Sequence, residues 1–280
     1  MQYLLPTAVF LLMASVGLSL RLTEVFARWR LANWLTWLSL ATATFIIPPA
    51  LALLLANLFH LSMGETAGLF MVGVAPGAPL LTRNLARKGF DMHLAASYQL
   101  WAALMIPVMI PIMVALGGKL YGRDIWIPPA VLLKQIALKQ LLPLAIGMVI
   151  AWFAPKASER AQPVLNVLGN ILFTALVVAV LFKMGPALKD VTPLVPVAAL
   201  LLGVGSIAAT SLARFSDALV RQTFAICNVN RHVGLALLLS GQYAHAQNAL
   251  PTIVCYALLA PLVMVVYAKL APTQGNVATR

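Results

Sequence analysis

Residues 226–240 read ICNVNRHVGLALLLS and place four polar side chains between two apolar runs. Six residues separate Arg221 from Asn228, and eight separate His232 from Gly241, whereas a helix needs about 20 residues to cross a bilayer. If the chain crosses a membrane, neither flank can span it alone. The two flanks together form one segment whose polar residues lie roughly 15 Å beyond Arg221, near the midplane. The stretch therefore predicts a discontinuous membrane helix.

The composition of the whole chain supports a membrane setting. Of 280 residues, 62% are hydrophobic and 9% are charged, and the mean hydropathy is +0.94. Soluble domains keep far more polar surface than this. Apolar stretches of about 20 residues, joined by short charged or proline-containing links, are typical of a helical bundle and not of a barrel. We therefore expect an all-α polytopic membrane protein with a single transmembrane domain over residues 1–280.

Nine membrane segments can be placed between charged, proline and glycine residues. The first lacks the basic start and the small-residue cleavage site of a signal peptide, so we expect it to be retained as a helix. The predicted segments are 3–20, 33–58, 65–86, 92–116, 129–153, 162–182, 192–213, 219–243 and 248–269.

The basic residues predict the orientation. Twelve Lys and Arg residues fall in one set of alternate joints and four in the other, and the richer side is expected to be cytoplasmic. The N-terminus should then lie outside and the C-terminus inside, most simply in the cell (inner) membrane. Because the net charge of +12 comes from scattered residues at segment ends, it does not indicate nucleic-acid binding.

A second interrupted segment is GLFMVGVAPGAPLLTRNLARKG, residues 68–89. Pro76 and Pro79 flank Gly77 too closely for an unbroken helix. A shift of 154 residues brings this break onto residues 228–232 and Pro107 onto Pro261. The shift predicts two repeats, about 1–118 and 119–272, which enter the membrane from opposite sides. Paired broken helices of this kind indicate the site of a secondary transporter.

Three stretches resemble the bile acid:sodium symporter family: LLMASVGLSLRLTEVFARWR (11–30), VGVAPGAPLLTRNLARKGFDMHLAASYQL (72–100) and RQTFAICNVNRHVGLALLL (221–239). The resemblance implies two inverted five-helix repeats arranged as a panel domain and a core domain, with two broken helices crossing in the core. It also implies that the chain begins at the family's second helix, which gives nine helices.

The chain departs from the family at the positions that bind sodium in relatives. A serine and an asparagine of the first crossing fall on Leu81 and Thr82, and two hydroxyl ligands of the next helix fall on Ala95 and Gln99. At the second crossing, a glutamate falls on Cys227. The glutamine and asparagine four and five residues later fall on Arg231 and His232. Because sodium favours several oxygen ligands including a carboxylate, and all seven acidic residues lie at segment ends, we expect the family's sodium sites to be altered and no cofactor to be required.

Two interpretations remain open for each polar residue of the second crossing. Arg231 either binds an anionic substrate or is held structurally by carbonyl groups of the opposing broken helix. His232 either carries a proton during transport or forms a structural hydrogen bond. Asn228 and Asn230 either satisfy freed backbone groups or contact the substrate.

The sequence thus predicts a transporter of small organic anions, not an enzyme, that works by alternating access and has no catalytic residue or metal site. A sodium-coupled, bile-acid-type symporter and a non-transporting sensor or assembly subunit are the alternatives. Its partners are the substrate and membrane lipid, and its oligomeric state is open. The predicted substrate-binding residues are Pro76, Gly77, Pro79, Thr82, Gln99, Asn228, Asn230, Arg231 and His232, and Cys227 and His232 are the candidates for coupling.

Overall fold

The computed structural model describes residues 4–20, 34–77, 90, 92–121, 127–184, 191–213, 217–241 and 246–270. Within these ranges the chain forms helices and turns but no strand. The helices are α1 (Leu4–Ser19), α2 (Trp34–Leu58), α3 (Met63–Val74), α4 (Met92–Tyr121), α5 (Pro129–Phe153), α6 (Pro155–Met184), α7 (Val195–Ser211), α8 (Ala218–Val229), α9 (Val233–Ser240) and α10 (Ala246–Leu270).

Five of these helices are long and apolar enough to cross a membrane: α2, α4, α5, α6 and α10. Their apolar parts are 22–27 residues long, or about 33–40 Å, and the hydrocarbon core of a bilayer is about 30 Å thick. Phe153, Phe182 and Leu270 are 81%, 83% and 76% exposed, which is stable only against lipid. The prediction of an all-helical, multi-pass integral membrane protein is confirmed.

The observed start of α6 corrects one predicted boundary. We placed the sixth segment at 162–182, but the helix begins at Pro155. Proline suits the first helical position because that residue needs no N–H partner within the helix. The polar residues that follow, KASERAQ, continue the helix beyond its apolar part, which a search for apolar residues alone does not detect.

Helix α1 packs against α5 and α6, and these three helices form one group. The contact between α1 and α5 depends on two glycines. Gly17 of α1 lies against the backbone of α5, and Gly147 of α5 lies against the backbone of α1. A Cβ atom on Gly17 would lie 2.2 Å from Leu144 O, and one on Gly147 would lie 2.3 Å from Ala14 O. Any larger residue at either position would push the two helices apart.

The remaining helices form a second group around a buried apolar cluster. Helix α3 packs against α2 and α10, and α7 packs against α2, α8 and α10. Leu69, Ile106 and Leu235 are among the buried members of this cluster. The two groups meet where α9 contacts α1 and where α4 contacts α5.

Helix α2 contains an irregular turn that shapes the site. Residues Thr42–Ile46 form a π-helical turn, in which the Ile47 N–H donates to Thr42 O. Pro48 and Pro49 follow directly and have no N–H. Because the donors that would serve the next two carbonyl groups are missing, Ala43 O and Thr44 O are open to donors from elsewhere.

Candidate functional site

The first break in the fold follows α3. The helix ends at Val74, Ala75 leaves helical geometry with φ −106° and ψ 80°, and Gly77 has a φ of +77°. Only glycine adopts this left-handed backbone without strain. Pro76 is buried and Gly77 is partly buried. The predicted substrate residues Pro79 and Thr82 lie outside the described residues.

The second break separates α8 from α9, so the predicted discontinuous helix at residues 228–232 is confirmed. Its freed backbone groups find partners. The hydroxyl of Tyr256 donates to Val229 O at 2.5 Å, at the end of α8. The imidazole Nδ1 of His232 accepts from the Leu235 N–H at 3.0 Å and so caps α9. The His232 N–H donates to Ala75 O at 2.8 Å, which joins the two breaks directly.

Asn228 lies in the last turn of α8, is fully buried, and connects four helices. Its Nδ2 contacts Ala43 O at 2.9 Å, Ser206 O at 2.9 Å and Thr210 Oγ1 at 2.7 Å. Its Oδ1 accepts from the Tyr98 hydroxyl at 3.3 Å. The carbonyl groups that Asn228 reaches belong to α2 and α7 and were not freed by the second break, and Ala43 O is part of the π-helical turn.

Arg231 is 1% exposed and is the largest fully buried side chain described. Its Nη1 donates to Thr44 O at 3.0 Å. The structural interpretation placed its carbonyl partner on the opposing broken helix. That placement was wrong, because the partner belongs to the π-helical turn of α2. Tyr256 lies beside the guanidinium, but no acidic side chain in the described ranges forms an ion pair with it.

Three buried nitrogen atoms at the second break form no well-formed hydrogen bond, although the Tyr256 hydroxyl lies close to the guanidinium: Nε and Nη2 of Arg231 and Nε2 of His232. Since Nδ1 of His232 accepts a backbone N–H, the proton of the neutral ring is assigned to Nε2. His232 can therefore take up a second proton only by giving up the cap on α9. All three nitrogen atoms are donors, and buried donors normally have partners.

A cavity of about 130 Å³ lies at this break, between the two groups of helices. Its walls come from α1, α6, the second break and α10. None of the residues that line it is acidic. The lining residues are Val9, Leu12, Phe173, Asn230, Arg231, His232, Val233, Gly234, Ala257 and Pro261.

The structure brings only part of the predicted site to this cavity. Asn230, Arg231 and His232 line it, whereas Pro76 and Gly77 contribute to the first break and are not in its wall. Gln99 and Cys227 are buried on α4 and α8 and are not in its wall either.

Three residues with a part in the site were missed: Ala43, Thr44 and Tyr256. The sequence signal for the first two is the proline pair in IIPPAL, residues 46–51, because adjacent prolines in a helix leave carbonyl groups without donors. Tyr256 carries no comparable signal.

The residues present do not fit a sodium ion of the kind bound at the second crossing of the relatives. At the position of the carboxylate, Cys227 presents a buried thiol, and Arg231 places a guanidinium against a carbonyl oxygen. Glu65 is a buried carboxylate in the first turn of α3, but it accepts hydrogen bonds from Ser62 and Thr192 instead. In the part of the chain that the structure describes, no three His, Cys, Asp or Glu side chains are grouped as metal ligands.

Comparison with known proteins confirms the resemblance found in the sequence. The model of the sodium bile acid symporter family matches residues 6–190, which include the first break and end before α7. The hepatic sodium/bile acid cotransporter of Rattus norvegicus is 26% identical over 216 residues, covering 72% of this chain and 58% of the relative. The aligned region is thus less than two thirds of the relative's length. With about two thirds of its length matched by the family model, the chain belongs to the sodium bile acid symporter family.

Proposed function

We propose that this protein is a membrane transporter that carries a small organic anion through the cavity at the second break. The observation that carries the proposal is that Arg231 and His232 line a cavity with no acidic lining residue, and that three of their buried nitrogen donors, Nε and Nη2 of Arg231 and Nε2 of His232, have no well-formed hydrogen bond. A carboxylate would satisfy such donors and balance the arginine charge. Membership of a transporter family supports movement across the membrane.

The volume of the cavity bears on the size of the substrate. At about 130 Å³ it is smaller than the roughly 300–1,000 Å³ of sites for drug-sized ligands. A small carboxylate suits it better than a sterol. Val9, Leu12 and Phe173 give the opposite wall an apolar surface, which favours a substrate with a short hydrocarbon part.

Alternating access is proposed from the position of the cavity between two helix groups. In this proposal α1, α5 and α6 form the panel, the other helices form the core, and the core moves against the panel. The N-terminus is outside, the C-terminus is inside, and α8 and α9 count as one of nine membrane segments.

Helix positions support an origin in two inverted repeats. With the shift of 154 residues, the start of α3 at Met63 falls on residue 217, and α8 begins at Ala218. The start of α4 at Met92 falls on residue 246, where α10 begins.

A panel of labelled organic anions in proteoliposomes tests the proposal, with and without sodium and with a pH gradient. We expect uptake of a small carboxylate, and we expect Arg231→Ala to reduce it about 10- to 100-fold, since hydrogen bonds to charged groups contribute about 1.5–3 kcal/mol. Arg221→Ala, on α8 and away from the break, is the matched control and should keep parental uptake. Equal uptake by both variants would disprove the anion site.

The name of the rat relative favours a second candidate, sodium-coupled transport of a bile acid. Uptake of a bile acid that requires a sodium gradient would establish it. A third outcome, in which a carboxylate binds but does not cross, would instead support the sensor or assembly subunit.

A further inference from the structure

The π-helical turn of α2 leaves Ala43 O and Thr44 O without helical donors, because Pro48 and Pro49 have no N–H. Asn228 donates to Ala43 O, so Thr44 O is the carbonyl oxygen of this turn that can hold a cation. The Thr44 hydroxyl is buried without a well-formed hydrogen bond, and the Tyr256 hydroxyl lies beside the guanidinium of Arg231. Carbonyl and hydroxyl oxygens are the ligands that hard monovalent and divalent cations take in proteins.

The guanidinium of Arg231 fills this place. Nη1 lies 3.0 Å from Thr44 O, and the side chain is 1% exposed. A buried charge is normally paired with an opposite charge, but within the described residues this guanidinium contacts neutral oxygen atoms. The oxygen atoms contact the guanidinium as they would contact a bound cation, but this cation is covalently attached to the chain.

We propose that Arg231 is a built-in cation that connects α2, α8 and α10 as a free monovalent ion would. The proposal rests on the proposed function for its consequence in transport. A cation tied to the backbone cannot be released on the other side of the membrane. The protein therefore gains no energy from a sodium gradient through this place.

The test removes the tethered cation and offers a free one. Arg231→Ala leaves the oxygen atoms and opens a space of guanidinium size. The purified variant is unfolded thermally in detergent with sodium, methylguanidinium or choline chloride at one ionic strength. We expect sodium or methylguanidinium to raise its Tm by about 3 °C or more over choline, and the parent and Arg221→Ala to show no difference among the salts.

Arg231→Lys keeps a tethered charge and should behave as the parent does. If Arg231→Ala is not recovered folded, Arg231→Gln provides the same measurement, because it removes the charge and keeps an amide donor for Thr44 O. A Tm of the charge-free variant that is the same in all three salts would overturn the proposal.

The readout separates this inference from the proposed function, since it needs no flux. If the Tm of Arg231→Ala depends on the cation but the parent transports no anion, the built-in cation is supported and the proposed transport is refuted. Parental anion uptake, together with a charge-free variant whose Tm is the same in all three salts, would leave the transport standing and overturn the built-in cation.

Discussion

The side-chain nitrogen of Asn228 lies 2.9 Å from Ala43 O, and 185 residues of chain separate the two. The contact joins the end of α8 to the π-helical turn of α2. Three residues further along, Arg231 makes the parallel contact with Thr44 O. Two successive carbonyl groups of α2 are thus satisfied by one side chain at the end of α8 and one in the break that follows it.

Asn228→Ala should lower the free energy of unfolding by about 2–3 kcal/mol, because it leaves buried acceptors on α2 and α7 without a donor. Thermal unfolding in detergent measures the loss. Asn57→Ala, at an exposed position of α2, is the control and should stay within about 0.5 kcal/mol of the parent. Equal stability of the two variants would show that Asn228 does not connect the helices.

His232→Asn separates the two roles of the histidine. Asparagine is a good helix cap, so the variant should unfold close to the parent. It cannot supply the Nε2 donor at the cavity, so uptake of the small carboxylate should fall about tenfold. His232→Ala should lose both properties, with about 1 kcal/mol of stability lost for the cap. Normal uptake by His232→Asn would exclude a contact between His232 and the substrate.

Removing a proline from the interior of a helix normally stabilises a protein by about 3 kcal/mol. We expect no such stabilisation when Pro48 and Pro49 are replaced by alanine. The new backbone N–H groups would compete with Asn228 and Arg231 for Ala43 O and Thr44 O. Pro163→Ala, inside α6, is the control and should be stabilising. A double variant that is more stable and equally active would show that the open carbonyl groups have no role.

Gly147→Ala should destabilise the protein by about 1–3 kcal/mol, the usual cost of overpacking, because the added Cβ would meet Ala14 O at 2.3 Å. Gly241→Ala is the control, because its added Cβ would lie 3.6 Å from Leu238 O, which is ordinary van der Waals contact. Unfolding of the two variants side by side tests the close contact of α1 and α5, and an undisturbed Gly147→Ala would refute it.

Single cysteines test the proposed orientation. In a chain without Cys227 and Cys255, His60→Cys should react with a membrane-impermeant maleimide on intact cells, and Lys156→Cys should react only after permeabilisation. Both positions are exposed. The opposite pattern would place the N-terminus inside and invert the charge rule for this chain.

The position of the second break could be predicted because chain length alone decides it: the runs on either side of residues 228–232 are too short to span. The partner of Arg231 could not be predicted in the same way. A pattern of apolar residues shows where a helix crosses the membrane, but it does not show which of its carbonyl groups are open. The proline pair at 48 and 49 indicates which carbonyl groups are open. It does not indicate that the donor to one of them is Arg231, which is distant in the sequence.

The cavity was also only partly predictable. The charge and hydrogen-bonding capacity of Asn230, Arg231 and His232 marked them, and they line it. Val9, Leu12 and Phe173 belong to apolar helices in which many residues look alike, and only the packing of α1 and α6 against the break selects them. Gln99 was named from the resemblance, and its burial on α4 leaves it outside the cavity wall.

The open carbonyl groups of α2 have a consequence for how the protein is made. Residues 43 and 44 leave the ribosome 185 residues before Asn228, which at about 5–20 residues per second is roughly 10–40 s. Throughout that interval α2 lacks the side chains that satisfy two of its backbone carbonyl groups. A nascent chain stopped before α8 should therefore remain exposed to membrane quality control, and release from it should begin when the side chains of Asn228 and Arg231 arrive.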